Sequence, residues 1–594
     1  MSIQSNRRTW MAQLTALGIG SVAFQRVLAH KASQTGAITA QMVTDAQWIA
    51  DIELTDREKA TLVKQLQDQS ENERKLRALN LDADTGPATA FVPHFFAEHL
   101  PEDDSEKQRI LNPARAIDSS WSILAKQNGP SPIDWQDDIA IAASGIVEQA
   151  SALRTGKITS QRLTELYLNR LKTFDPILRC IVTLTEELAI RQAKLADKEL
   201  NAGKDRGLLH GIPWGAKDII AVPPFPTTWG AKPYRETVRP NLATVAHRLN
   251  EAGAVMLGKL AVGTLAMGDI WHDATTKNPW NVEQGSSGSS AGSCSAVGAG
   301  LCTFALGTET LGSIVSPARR CRVMGLRPSF GRVSRYGCMT LAWSMDKVGP
   351  IARHAIDCGI VLSVIQGTDG MDPTVVDRPL VLPPQFDVKK LRVGYVKTQM
   401  SESEQLVFDR LQSNGAEMIS IEFPNTIPVE ALGVGLDVES AAMHDALIRS
   451  VESDGDMGLW GPSFRKSQFA RGIHYIQSMR ARTMLIQETE RVLRKVDVVL
   501  GGDDLVRTNL TGHPSMVVRF GSQELTASKR ETEKDSKEQA ATKVIAPRVI
   551  KLTAKYFGDA WLVSVADYIE KQMPSIPSLP SMFEVRDGNR VARP

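Results

Sequence analysis

Two stretches rich in glycine and serine decide how this sequence is interpreted. They are Gly285-Ser286-Ser287-Gly288-Ser289-Ser290-Ala291-Gly292-Ser293 and, after a short interval, Gly307-Thr308-Glu309-Thr310-Leu311-Gly312-Ser313. Such compositions usually indicate flexible linkers. Here the residues between and after the two stretches are apolar, so we expect both stretches to be packed into a folded core. Glycines let backbone segments approach closely and serines supply hydroxyl groups, a combination that suits a serine nucleophile.

Composition excludes several classes of protein. The 594 residues are 42% hydrophobic and 23% charged, as in an ordinary globular protein with a large core. The formal net charge is +2 and no basic block is interleaved with aromatic residues, so nucleic-acid binding is not indicated. The six cysteines form no C-x-x-C pair and have no histidines at zinc spacing, so we expect no metal site. We expect buried thiols at most of these positions, with a Cys294–Cys302 disulfide as an alternative.

The N-terminal segment, residues 1–30, has the layout of a bacterial export signal. Arg7 and Arg8 precede the moderately apolar run Met11–Phe24, and small residues that suit cleavage follow at Val27-Leu28-Ala29. The paired arginines suggest the twin-arginine type, which carries folded proteins, so we expect a periplasmic or secreted enzyme. The apolar run is too short for an ordinary membrane span. The alternative is an amphipathic N-terminal helix on a cytoplasmic protein.

The remaining chain divides into two regions by pattern. Residues 35–135 are expected to form a helical and loop extension, because Val43–Gln67 and Ser70–Leu79 have helical spacing before a proline-containing polar stretch. Over residues 140–590, helical segments alternate with short apolar runs. This alternation predicts an α/β domain with a mainly parallel or mixed sheet. The charged stretch Ser522–Thr542 is expected to be an exposed loop or insertion.

Capping patterns place several of these elements. Thr159 or Ser160 can begin one helix, and Thr183-x-x-Glu186 has the capping-box pattern for a second helix that ends at Gly203. Asn241–Ala252 is expected to be a helix and Ala254–Leu257 the strand after it. The same alternation of helices and strands is expected to continue through later apolar runs, Ile360–Leu362 and Leu391–Tyr395.

A base is needed if a serine is to attack an amide. The ten histidines show no obvious catalytic triad, and no G-x-S-x-G elbow has convincing acid and histidine partners. A lysine can take this role where a dry, donor-rich environment lowers its pKa. Lys217 lies between the apolar residues Ile212-Pro213-Trp214 and Ile219-Ile220, which predicts partial burial.

Taken together, the order and spacing of several motifs resemble the amidase signature family over residues 140–575. The motifs are Gly211–Asp218, Asn278–Asn281 leading into Ser289-Ser290, Gly307–Ile314, Gly325–Pro328, Gly331–Gly337, Asp346–Ile351 and Asn509–Pro514. This resemblance implies a mixed central β-sheet covered by helices on both faces, with the N-terminal helical region as an extension. It implies no metal and no organic cofactor.

The resemblance also implies roles for individual residues. Ser313 matches the nucleophile, Ser289 the bridging serine on a cis peptide bond, and Lys217 the base that acts through Ser289. The backbone N–H groups expected to form the oxyanion hole are those of Thr310, Leu311, Gly312 and Ser313. Departures from the family pattern indicate a divergent subgroup: Leu311 for a glycine, Glu309 for an aspartate, Val315 for an arginine, Ala291 for a glycine and Ser286-Ser287 for proline and glycine.

Structural roles compete with functional ones at several positions. Ser313 alone would suit a helix N-cap, and we expect Ser290 and Ser293 to bond the loop. Core packing is expected for Trp214, Trp271 and Trp280, although they could line a substrate pocket. We interpret His513 as part of a turn before Pro514 rather than as a catalytic histidine.

The function expected from these motifs is an amidase that hydrolyses a small-molecule carboxamide through a Ser-Ser-Lys triad and an acyl-enzyme. One alternative is the glutaminase (A) subunit of a tRNA-dependent amidotransferase, and another is a non-catalytic binding protein with the amidase fold. The sequence leaves the amide open, and also whether the chain forms a homodimer.

Overall fold

A computed structural model describes residues 38–48, 50, 52–79, 89, 133–272, 274–378, 380, 386–397, 400–450, 456–502, 504–526, 543–575 and 579–584. The expected signal segment, residues 1–30, lies outside this part of the chain. Internal contacts define one unit from Met1–Ala88 and Thr426–Thr483, and a second from Thr89–Asn425 and Met484–Pro594. The boundaries expected from the sequence, 35–135 and 140–590, stay a prediction.

Helices and strands alternate through most of the described chain. The helices are α1 Ala40–Ala46, α2 Asp56–Ala78, α3 Asp138–Ala143, α4 Ile146–Arg154, α5 Ser160–Leu178, α6 Glu186–Asn201, α7 Thr244–Glu251, α8 Ala291–Gly298, α9 Val315–Cys321, α10 Ala355–Ile365, α11 Glu402–Ser413, α12 Val434–Met443, α13 Asp445–Ser450, α14 Gly461–Ser467, α15 Gly472–Leu493, α16 Leu505–Leu510 and α17 Asp559–Gln572. The strands are β1 Ile181–Leu184, β2 Pro213–Lys217, β3 Val255–Leu260, β4 Ile270–Trp271, β5 Ala274–Thr275, β6 Lys277–Asn278, β7 Asn281–Gly285, β8 Phe304–Glu309, β9 Met324–Arg327, β10 Lys347–Ala352, β11 Arg392–Tyr395, β12 Glu417–Ser420, β13 Val498–Leu500, β14 Ser515–Thr526 and β15 Lys543–Thr553.

The second unit is built around one mixed sheet with helices on both faces, as the sequence predicts. Its eleven described strands run in the order β1-β3-β2-β8-β10-β9-β14-β15-β13-β11-β12. Strand β2 is parallel to both β3 and β8, whereas β10 is antiparallel to β8 and β9. The carboxyl ends of β2 and β8 therefore lie side by side, which brings Lys217 close to Thr308 and Glu309.

The glycine- and serine-rich stretches are packed, as expected, rather than forming a linker. Helix α8 begins directly after Ser290, and all of its residues are buried. A Cβ atom on Gly292 would lie 2.2 Å from the carbonyl oxygen of Cys180 and 2.3 Å from the backbone nitrogen of Ala261. Only glycine fits there, because backbone atoms cannot yield as a flexible side chain can.

Helix starts agree with the sequence at some positions and differ at others. The Thr159 hydroxyl accepts a hydrogen bond from Arg162 N at the start of α5, as predicted. The predicted cap at Thr183 is wrong, because Thr183 pairs with Lys259 in the sheet and Thr185 occupies the N-cap of α6. The Thr185 hydroxyl instead donates to the carbonyl of Met256, which links the helix start to β3.

The structure decides one element that the sequence left open and corrects another. Ile360–Leu362 lies in helix α10, and its residues are buried. Strand β14 continues to Thr526, so the first part of the charged stretch Ser522–Thr542 is a strand paired with β15 rather than a loop. The rest of that stretch, residues 527–542, lies outside the described part of the chain.

The N-terminal extension is helical, as expected, in the part that the structure describes. Thr55 and Glu58 form a capping box at the start of α2. Val43, Leu54 and Leu62 form a small apolar core, with Phe469 packed against it. Within the first unit, this core joins the extension to a later segment of the chain. No described helix is long and apolar enough to cross a membrane.

Candidate active site

Lys217 is a buried amine at the end of β2. Its Nζ lies 2.9 Å from Ser289 Oγ and 3.0 Å from Ser290 Oγ. Two further oxygens belong to Thr308, with Oγ1 at 2.8 Å and the carbonyl oxygen at 3.1 Å. Burial lowers the pKa of Lys217, and this effect outweighs that of the nearby acidic groups, which raise it. The resulting pKa is about 7. A neutral amine can donate two hydrogen bonds and accept one, so this environment lets Lys217 take a proton near neutral pH.

Ser289 follows a cis peptide bond from Gly288, as the family resemblance implies. The backbone around this bond is closely packed, because a Cβ atom on Gly288 would lie 1.8 Å from the carbonyl oxygen of Gly268. The carbonyl oxygen of Ser289 accepts a hydrogen bond of 3.3 Å from Gly263 N. These contacts fix the main chain on both sides of the Ser289 hydroxyl, so its position beside Lys217 is set by backbone packing.

Ser313 lies in the turn that connects β8 to α9, and its side chain is buried. Ser290 N donates to the carbonyl of Ser313 at 3.0 Å, which joins this turn to the start of α8. The helix-cap interpretation of Ser313 is not what the structure has, because Ile314 occupies the N-cap of α9 and has no side-chain cap bond. The structure thus brings the segments of Lys217, Ser289 and Ser313 together, while their chemical roles stay a prediction.

The turn around Ser313 offers backbone N–H groups. Among the described residues, we find no acceptor for the N–H groups of Leu311, Gly312 or Ser313. Gly312 has a positive φ of 89°, a conformation that glycine adopts readily. Leu311 is 39% exposed and is not among the described residues with positive φ. The leucine therefore occupies a position that requires no glycine, and the adjacent donors suit an oxyanion.

Glu309 binds the backbone at the end of the Ser313 turn. Its Oε2 atom accepts hydrogen bonds from Ile314 N at 2.8 Å and Val315 N at 2.9 Å. Its Oε1 atom lies 2.8 Å from Arg327 Nη1 and 2.8 Å from Asn509 Nδ2. Burial alone would raise the pKa of Glu309, but the charges of Arg327 and Lys347 and these hydrogen bonds lower it to about 2. Glu309 is therefore a carboxylate that fixes the far end of the turn.

Sequence reasoning missed three residues in contact with this site. Ser290 was expected to be purely structural, yet its Oγ contacts Lys217. Thr308 places two oxygens on the same amine. Asp346 accepts a hydrogen bond of 2.5 Å from the Thr310 hydroxyl, and burial raises the pKa of its carboxyl group. All three lie inside motifs quoted above, but no spacing in the sequence shows which members of a motif face the lysine.

Other candidate residues have structural contacts. His513 is buried between Glu490, 2.9 Å from its Nε2, and Thr511, 2.7 Å from its Nδ1. Trp214 stacks on Phe304, and Trp280 donates to a backbone carbonyl at 2.9 Å. Trp271 is half-buried and donates to Thr276 Oγ1 at 3.0 Å.

Metal and disulfide chemistry are the remaining expectations from the sequence. Within the described ranges, no cluster of three or more His, Cys, Asp or Glu residues is arranged to hold a metal ion. The six cysteines are free thiols, so the Cys294–Cys302 disulfide is not formed.

Comparison with known proteins decides the family. A family model described as Amidase matches residues 162–502. The chain belongs to this family. One relative, the A subunit of glutamyl-tRNA(Gln) amidotransferase from Roseiflexus sp. (strain RS-1), is 34% identical over 393 residues, which cover 59% of this chain and 79% of that protein. A protein of the same name from Methylococcus capsulatus is 41% identical over 266 residues, 43% of this chain and 54% of that protein.

Solved structures agree with the fold of this amidase-signature enzyme. Native peptide amidase from Stenotrophomonas maltophilia superposes with a TM-score of 0.60 at 25% identity, over 73% of this chain and 97% of that chain. A bacterial aryl acylamidase of the amidase signature family has a TM-score of 0.60 at 19% identity, over 75% of this chain and 97% of that chain, and supports the fold alone. The family consists of hydrolases that act on amide C–N bonds.

Proposed function

We propose that the chain hydrolyses a carboxamide through an acyl-enzyme on Ser313, with Ser289 as the bridging serine and Lys217 as the base. The observation that carries this proposal is the buried Lys217 amine, whose pKa is about 7 and whose Nζ lies 2.9 Å from Ser289 Oγ. A general base works best when its pKa lies near the operating pH. No metal or organic cofactor is needed for these steps.

In the acylation step, Ser313 Oγ bonds to the carbonyl carbon. Its proton passes to Ser289, whose own hydroxyl proton passes to the neutral Lys217. The carbonyl oxygen becomes negatively charged beside the N–H groups of Leu311, Gly312 and Ser313, with the Thr310 N–H as a further expected donor. When the C–N bond breaks, the proton returns from Lys217 through Ser289 to the leaving nitrogen. Water then hydrolyses the ester by the same proton route and releases the carboxylic acid.

Substitution of each proposed residue tests these roles. We expect Ser313→Ala, Ser289→Ala and Lys217→Ala each to lower hydrolysis of a cleaved amide by at least about a thousandfold. Ser316→Ala is a matched control, because Ser316 lies just beyond the turn and has no proposed role. A panel of aliphatic, aryl, fatty and peptide amides, followed for amine or ammonia release, would identify the substrate class. Full activity in Ser313→Ala or Lys217→Ala would refute the assigned roles.

A second candidate is the glutaminase subunit of an amidotransferase, which the names of the similar proteins favour. Ammonia release from glutamine that requires co-purified tRNA-binding subunits would support this candidate over a self-sufficient amidase. A fluorophosphonate probe separates both enzymes from a non-catalytic protein, since its phosphorus bonds to an activated serine with loss of fluoride. Labelling at Ser313 supports catalysis, whereas well-folded protein that resists labelling supports the binding role.

We also propose export, on the basis of Arg7 and Arg8 before the apolar run and the small residues at Val27-Leu28-Ala29. Replacement of both arginines by lysine should retain the protein in the cytoplasm of a bacterial host with the twin-arginine system. N-terminal sequencing of the periplasmic fraction would locate any cleavage. Unchanged distribution in the variant would contradict the proposal.

A further inference from the structure

Four buried polar residues lie together beneath the Ser313 turn. They come from different elements: Glu309 from β8, Arg327 from β9, Lys347 from β10 and Asn509 from α16. Lys347 pairs directly with Glu309 in the antiparallel register of β8 and β10. Buried charges are costly unless they are paired and hydrogen-bonded, so each of these groups needs its partners.

Lys347 reaches the start of the turn. Its Nζ lies 2.9 Å from Asn509 Oδ1 and 3.3 Å from the carbonyl oxygen of Thr310. Asn509 Nδ2 in turn donates to Glu309 Oε1 at 2.8 Å. Since Glu309 holds the N–H groups at the end of the turn, one network fixes both ends.

The contact with Thr310 has a direct consequence for a neighbouring donor. A peptide group is planar, and in the trans form its carbonyl and N–H point in opposite directions. The carbonyl of Thr310 and the N–H of Leu311 belong to the same peptide group. A hydrogen bond from Lys347 to this carbonyl therefore aims the Leu311 N–H away from the network.

Other contacts hold two further peptide groups of the turn. The Gly312 carbonyl accepts from Ser316 N at 2.8 Å, and the Ser313 carbonyl accepts from Ser290 N at 3.0 Å. At the Thr310 carbonyl, the donor is the side chain of Lys347. Loss of the lysine would thus release the peptide plane between Thr310 and Leu311, while the contacts of the Gly312 and Ser313 carbonyls stay in place.

We propose that Lys347 is a positioning residue that aims the Leu311 N–H toward the oxyanion, an inference that rests on the proposed amidase function. This chain carries Val315 where the family usually has an arginine, and the ammonium group that contacts the Thr310 carbonyl belongs to Lys347 of β10. Lys347 does not touch the reacting atoms. It acts through the Thr310 carbonyl and through Asn509.

Lys347→Met tests this role, because methionine has similar length and no hydrogen-bond donor. The Glu309–Arg327 ion pair stays charge-balanced in this variant, so the fold should survive. We expect kcat on a cleaved amide to fall about tenfold to a hundredfold, with KM within about twofold, because the loss of an oxyanion donor costs a hundredfold or more. The rate of fluorophosphonate labelling at Ser313 should fall in parallel. Lys347→Arg should recover most of the lost kcat, since its guanidinium keeps a charged donor.

Thermal unfolding of each variant shows whether a loss of kcat comes from positioning or from a damaged fold. If Lys347→Met does not fold, Lys347→Gln takes its place, because glutamine keeps a neutral hydrogen-bond donor. The glutamine variant should show a smaller loss of kcat, again with little change in KM. Wild-type kcat and labelling rate in a folded Lys347→Met or Lys347→Gln variant would overturn the role of Lys347 while the amidase function stands. Absence of both hydrolysis and labelling in the wild-type protein would overturn the two proposals together.

Discussion

The pH dependence of acylation follows from the environment of Lys217. Only the neutral amine can accept a proton from Ser289, so kcat/KM should rise with pH as Lys217 loses its proton. With a pKa of about 7, the amine is about one-tenth neutral at pH 6, half neutral at pH 7 and about nine-tenths neutral at pH 8. We therefore expect kcat/KM to rise about tenfold from pH 6 to about pH 8 and to stay constant above that pH.

The lowered pKa of Lys217 corresponds to a large change in the free energy of its ammonium form relative to its neutral form. Lowering the pKa of an amine from its ordinary 10.5 to about 7 removes about 5 kcal/mol of preference for the ammonium form. The cause is burial, which takes the charge away from water while the oxygens of Ser289, Ser290 and Thr308 offer only partial compensation. Loss of one acceptor, as in Ser290→Ala, should lower the pKa of Lys217 further and shift the midpoint to lower pH.

Second-order labelling by a fluorophosphonate provides the assay, because it reports activation of Ser313 without needing the natural substrate. Rates are measured from about pH 5.5 to about pH 9.5 at constant ionic strength, with denatured protein as a control for probe hydrolysis. A rate that climbs about tenfold for each pH unit up to about pH 9.5, with no plateau, would mean that the lysine keeps its ordinary pKa. That result would refute the argument from burial.

Folding should respond to the same amine. The unfolded lysine titrates near 10.5 and the folded one near 7, so between these values the unfolded state binds more protons. The free energy of unfolding of the wild type should therefore increase with pH from about 7 to about 10.5, relative to Lys217→Met. Chemical denaturation of both proteins at several pH values measures the difference, and parallel curves would contradict the shifted pKa.

Three further substitutions test the packing around the turn. Leu311→Gly should lower the free energy of unfolding by only about 0.5–1 kcal/mol and keep the labelling rate within about tenfold, because the leucine is exposed. A labelling rate that falls by more than about a hundredfold would show that its side chain is essential. Glu309→Gln should lower the free energy of unfolding by about 3–5 kcal/mol, since Arg327 is left buried without its carboxylate, and a change below about 1 kcal/mol in chemical denaturation would count against that ion pair. Gly292→Ala should prevent stable folding, as judged by soluble yield and thermal unfolding, because its Cβ would meet backbone atoms at 2.2 Å, whereas Gly433→Ala, where nothing lies within 4 Å, should be neutral. Equal stability of these two alanine variants would invalidate the packing argument.

Motif order predicted the fold and brought together the right segments. The apolar residues on both sides of Lys217 predicted its burial, and the apolar residues between and after the two glycine- and serine-rich stretches predicted packing into the core rather than a linker. These features are local in the sequence, so they can be recognised before the chain is folded. The start of α5 and the position of β11 were predicted for the same reason.

Elements without a clear local pattern were predicted less well. Ile360–Leu362 is apolar on every side because α10 is almost entirely buried, so neither a helical nor a strand period is visible there. Thr183 has the spacing of a cap, but pairing with β3 overrides that tendency. The network of Glu309, Lys347 and Asn509 was missed because its members come from distant parts of the chain and meet only through strand order.

Leu311 illustrates how the structure separates two meanings of a missing glycine. A glycine can be needed for its backbone conformation or for the space around it, and the sequence does not distinguish these needs. In this turn the positive φ belongs to Gly312, while the Leu311 side chain is 39% exposed. The replacement therefore leaves the backbone donors available and adds an apolar group at the surface of the turn. We therefore expect a change of this kind to alter which amides can approach Ser313 rather than to abolish the proposed chemistry of the turn.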